Sequence, residues 1–149
     1  MQILMPWLHI LSFSVWLGAN LFVLAMLWPA SRSLPEAERV KAIRRNARGL
    51  NAVAATAAPL AVLSGLGGFL PGGTAAQLAA GSGYIFILTA KGVLTAVMAL
   101  NHGLQAFRYH GSVDDPLDAR NPWMRLLAAN AVLGIVVLLL GLVLRRVAM

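Results

Sequence analysis

Lys91 and His102 are the two residues whose type and spacing point most directly to chemistry. Lys91 sits in the middle of an apolar run from Tyr84 to His102. An ammonium at the centre of a bilayer-crossing helix costs roughly 2.5–3.5 kcal/mol, so it should face a partner or a wet cavity. His102 follows eleven residues later. At about 100° per residue that is three turns plus roughly 20°, so both side chains leave the helix on one face. Thr95 and Met98 fall on the same narrow arc. A second seam comes earlier in the chain, where His9, Trp16 and Asn20 lie within about 40° of one another at helical spacing. Imidazoles are the commonest metal ligands, thioethers such as Met98 or Met5 are soft ligands that suit copper, and a buried cation pairs with acidic groups.

These residues need elements to position them, and hydropathy supplies four. Of the 149 residues, 59% are hydrophobic and 11% charged, too apolar for an ordinary soluble domain. The apolar blocks run over 3–28, 51–70, 83–104 and 123–144, each long enough to cross about 30 Å of hydrocarbon as a helix. The expected fold is a single all-α domain, an integral membrane four-helix up-down bundle with short connections. Residues 29–50 and 105–122 are expected as cytoplasmic loops. Pro6 suits the first turn of helix 1, and Pro29 is expected to close that helix. Ser33 is a candidate N-cap for a short cytoplasmic helix. Pro59 is expected to kink helix 2, with Gly65, Gly67 and Gly68 allowing close approach of a neighbour. The 71–83 connection reads as a short interfacial segment and the turn-rich stretch after His110 as a solvated connector.

Charge sets the orientation. Arg32, Arg39, Lys41, Arg44, Arg45 and Arg48 fall in the first connection, and Arg108, Arg120 and Arg125 in or beside the third. Only Arg145 and Arg146 fall on the other side. This positive-inside bias places both termini on the outer, periplasmic side of the inner (cytoplasmic) membrane. It also assigns the net charge of +7 to anionic lipid headgroups rather than nucleic acid. The stretch from Met1 to Trp28 has no Lys or Arg and is too long for a signal-peptide core, so it is expected as a retained span. Without cysteine there is no disulfide framework and no thiolate metal site.

Rise along the helices sorts the polar residues by depth. At about 1.5 Å per residue, His9 and Lys91 lie about 9 and 12 Å from the outer surface, and Asn20 and His102 about 25 and 28 Å. An outer layer of His9, Lys91, Ser64 and Thr95 and an inner layer of Asn20, Asn101, His102 and Asn130 follow. The depth difference of nearly 20 Å between His9 and His102 keeps them from ligating one metal or one haem. The seams of helices 1 and 3 are expected to face each other. In the plainer reading of these residues, Trp16 is packing, Asn20 and Asn130 hold helices together, and His102 sits at the membrane boundary.

His9-Ile-Leu-Ser-Phe-Ser-Val-Trp16-Leu-Gly18 resembles the first-helix H-x6-W-x-G signature of the CopD copper-resistance family. Gly83 through Lys91 to Ala99-Leu-Asn101 resembles the third helix of that family. The HemJ-type protoporphyrinogen oxidases are similar as well, with His and Trp in helix 1 and a Lys followed eleven residues later by His in helix 3. Their last helix carries Asn-Glu where this chain has Asn130-Ala131. The first resemblance implies binding or transport of copper, with His9, Met98 and His102 as candidate metal ligands and a periplasmic copper carrier as partner. The second implies haem b held by His9, Lys91, Trp16 or His102, in electron transfer or porphyrinogen oxidation with a redox partner. A structural or assembly subunit, or a homo-oligomer, is the non-catalytic expectation. Trp16-Leu-Gly18 and Ala99-Leu-Asn101 tilt the reading toward CopD.

Overall fold

A computed structural model of the chain describes residues 4–67, 81–107 and 122–147. Every described element is helical. Helix α1 is Leu4–Ser31, α2 is Glu36–Gly67, α3 is Ser82–Phe107 and α4 is Pro122–Val147. All four are long and apolar enough to cross a membrane, which makes this a multi-pass membrane protein. The outward faces fit that solvent. Trp7, Leu63, Phe86 and Leu100 are among the many large apolar side chains left uncovered, an apolar surface far beyond what water tolerates. The end of helix 2 beyond Gly67, the 71–80 connection, Arg108, His110 and Arg120 lie outside the described residues.

Two boundaries differ most from expectation. Helix 1 does not stop at Pro29 but continues to Ser31, through a π-helical turn at Val23–Leu27. Proline lacks the N–H that would bond the carbonyl four residues back. The wider turn, in which the Trp28 N–H bonds the Val23 carbonyl, lets the helix absorb that loss one turn earlier. The basic segment, expected as a separate short helix within a loop, is instead the first half of α2, which runs unbroken for 32 residues through Pro59. Ser33 does not cap it. Its hydroxyl donates back to Ala30 O at 2.9 Å, and the first α2 bond is Arg39 N–H to Pro35 O.

The helices pack as two close pairs, α1 with α2 and α3 with α4, while α1 also touches α4 and α2 barely touches α3. Small residues set the first pair. Ala54, Ala57, Ala58 and Ala61 recur at i, i+3, i+4 and i+7, and this thin stripe is buried against Phe13, Trp16 and Leu17. The second pair closes at Gly134, where an added Cβ would lie 2.6 Å from Leu17 and 3.2 Å from Met98. That glycine is the junction of α1, α3 and α4. A second cluster of Val23, Ile43, Ala47, Trp123, Met124 and Leu127 ties the basic half of α2 to the ends of α1 and α4.

Candidate functional site

Because α2 and α3 splay apart, a cavity of about 1450 Å³ lies between them. It follows α3 from Tyr84 to Phe107. The polar groups that line it, His9, Ser64, Lys91 and Thr95 among them, lie toward one end, and Leu100, Leu104 and Phe107 toward the other. Its chemistry is amphiphilic: one cation and one imidazole at the head of a long apolar trough.

His9 is positioned by α2. Its Nδ1–H donates to Ala61 O at 2.7 Å, and with Nδ1 as donor the neutral ring keeps its lone pair on Nε2. Metal-ligating histidines are commonly oriented by a bond of this kind to a backbone carbonyl. The ring lies against Gly65, where an added Cβ would meet Cε1 and Nδ1 at 3.0 Å but Nε2 only at 3.9 Å. Glycine at this position is what admits the imidazole. One turn earlier, the Met5 sulfur lies 3.4 Å from where a Cβ at Gly67 would be, so Met5 and His9 meet α2 side by side.

Lys91 crosses toward α4, its Nζ 3.6 Å from the place of a Cβ at Gly141. The five acidic residues are Glu36, Glu38, Asp114, Asp115 and Asp118. Among the described residues the only carboxylates are therefore those in the first turn of α2. That turn is some 40 Å along α2 from the Gly65 end that carries His9. Lys91 lines the cavity with no acidic side chain of α1, α3 or α4 to neutralise it. Thr95 and Ser64 bond carbonyls of their own helices, Lys91 O for Thr95 and Leu60 O for Ser64, so their oxygens are already satisfied as donors.

The remaining candidates are elsewhere. Met98 is fully buried against Gly134 and, like His102 and Trp16, does not line the cavity. The proposed set of His9, Met98 and His102 is therefore not gathered at one point. No group of three or more His, Cys, Asp or Glu side chains suited to a metal occurs among the described residues. Asn20 folds back onto Trp16 O at 2.8 Å, and Asn130 Nδ2 reaches Met98 O at 3.3 Å, tying α4 to α3. Asn101 is half-buried and outside the cavity.

The two seams do not face each other across a packed interface as expected, since α1 and α3 are each paired elsewhere. They meet at one point, the edge-on contact of Trp16 with His102 at 6.3 Å between ring centroids. Through Phe13, stacked on His9 at 6.5 Å and edge-on to Trp16 at 6.4 Å, aromatic rings connect the two histidines without a break. Phe13 and the buried Gln105 belong to neither polar seam of the expected spans. Phe13 is apolar, and Gln105 lies one residue beyond the expected end of helix 3. The i, i+7 spacing of Met98 and Gln105 is the signal that would have found the latter. Comparison with family models, with curated proteins and with solved structures returned no match for this chain.

Proposed function

We propose that this is a haem b protein of the cytoplasmic membrane, an up-down-up-down bundle with both termini periplasmic, working in electron transfer or oxidation. The observation that carries the reading is the cavity. It is a groove open along one side, and at about 1450 Å³ it has room for a planar macrocycle and far more than a metal ion needs. The donor set fits the group as well. His9 would hold the iron through Nε2, its other nitrogen being fixed on Ala61 O. Lys91 would be the countercharge for a propionate, since no carboxylate of α1, α3 or α4 is there to pair with it. The apolar side chains of the trough, Leu100 and Leu104 among them, would lie against a macrocycle bound there.

Bound haem b supplies a one-electron iron couple, while the chain's residues bind, orient and shield it. Four spans and the basic bias of the α1–α2 connection support the membrane and the orientation.

One observation favours a second reading, in which copper is bound or passed at the same place. Met5 and His9 lie one turn apart against Gly67 and Gly65, a soft thioether beside an imidazole. The visible spectrum of detergent-purified protein separates the two. A Soret band that is lost in His9→Ala and weakened in Lys91→Met is the expected result. A colourless preparation that binds Cu(I) stoichiometrically and loses it in Met5→Leu would establish the copper reading instead. If neither cofactor binds, the chain is a structural subunit.

A further inference from the structure

Four buried polar atoms at the junction of α1, α3 and α4 have no hydrogen-bond partner among the described residues: Trp16 Nε1, His102 Nε2, Gln105 Nε2 and Asn130 Oδ1. Trp16 and Asn130 are 0% exposed and Gln105 1%. None of the four residues lines the cavity between α2 and α3.

They belong to one neighbourhood. Met98, His102 and Gln105 are spaced i, i+4 and i+7 and share one stripe of α3. Asn130 is anchored on that stripe through Met98 O, and Trp16 meets it edge-on at His102. The chemistry is complementary without being self-satisfied. Trp16 and Gln105 bring N–H donors, Asn130 brings an acceptor, and His102 Nε2 takes either role. Buried polar groups left unmatched are rare, and each one needs an explanation. A water molecule accepts two hydrogen bonds and donates two, and buried waters usually hold two to four polar partners of this kind.

We propose that Trp16, His102, Gln105 and Asn130 enclose a second site, separate from the cavity, whose ligand is a small cluster of ordered water bridging α1, α3 and α4. The site stands whatever the cavity holds. Its polar groups lie on three helices, so the water ties α3 to α1 as well as to α4. It also brings exchangeable protons to the buried Nε2 of a partly buried histidine.

Two measurements on the full chain in lipid nanodiscs test this. Water-to-indole NMR cross-relaxation, with the Trp16 resonance assigned through Trp16→Phe and exposed Trp7 as control, should give a long-lived water contact at the Trp16 N–H. Gln105→Met keeps the volume and removes a water partner, and should lower Tm by about 2–4 °C, the shift that about 1 kcal/mol gives in a chain of this size. A dry pocket gives the opposite signs. Trp16 then has no water contact, and Gln105→Met raises Tm because it removes an uncompensated donor. Either of these two results overturns the proposal.

Discussion

At the scale of single residues, the imidazole of His9 is governed by two atoms of α2. Ala61 O takes its Nδ1–H, and the missing Cβ of Gly65 leaves room for the ring. The two influences are separable. His9→Ala removes the imidazole itself, whereas Gly65→Ala leaves it in the chain but puts a Cβ 3.0 Å from the ring and so forces it to move. Gly65→Ala is also favourable for helix propensity, by up to about 1 kcal/mol, so the helix itself should not suffer. The expected outcome is a folded, detergent-stable Gly65→Ala protein whose cofactor affinity falls at least tenfold. Titration of the purified variant with haem, followed by the Soret band, and with Cu(I), checks it. Unchanged affinity would mean that the ring's orientation against α2 has no part in binding. The grouping of His9 with Lys91 was legible in the sequence because rise per residue is nearly constant in a helix. The bond to Ala61 was not, because nothing in a single sequence says which helix a seam will face.

Among elements, the decisive fact is the unequal packing of the four helices. Hydropathy located all four spans, because the bilayer imposes a length and a composition that each must meet. It could not say that α1 would pair with α2 and α3 with α4, leaving a cavity along the α2–α3 boundary. In lipid, close packing follows small residues rather than polar stripes. The alanine stripe of α2 and Gly134 of α4 were therefore the informative letters, and the polar seams pointed to the cavity and the buried cluster instead. The π turn before Pro29 was likewise unreadable, since proline marks the end of a helix far more often than a bulge that lets it continue. Gly134 tests the packing account. A valine there would drive its side chain into Leu17 and Met98, both buried. Overpacking of that kind costs about 1–3 kcal/mol, and the lost Tm should be visible in detergent with or without cofactor. Gly18 has nothing within reach of an added Cβ, so Gly18→Ala should leave Tm unchanged or slightly raised. Equal losses at the two positions would mean that the α1–α3–α4 junction is not close-packed.

For the whole molecule, the proposed orientation rests on charge, a different physics from packing. Lys and Arg near the ends of a span resist translocation, so the end with more of them stays cytoplasmic. Arg32 in the α1–α2 connection and the five basic residues in the first half of α2 bring six such groups to this end of the bundle. The same helix packs Ile43 and Ala47 onto Trp123 and Met124 at the start of α4, holding the basic segment against the bundle end rather than free in solution. If that end is cytoplasmic, its basic side chains would meet the headgroups, where each gains about 1 kcal/mol from an anionic leaflet. A chain without cysteine makes the orientation directly measurable. Ser33, exposed between α1 and α2, and Ser82, exposed at the start of α3, should lie on opposite sides of the membrane. In spheroplasts treated with a membrane-impermeant maleimide, Ser82→Cys should label at once and Ser33→Cys only after lysis. The reverse pattern would place the termini in the cytoplasm and turn the polar end of the cavity, with His9 and Lys91, away from any periplasmic partner. Labelling of both before lysis would mean that α2 does not cross the membrane. In that case the splayed α2–α3 boundary would open to water rather than to lipid, and a haem held there would lose the apolar cover on which the proposed chemistry depends.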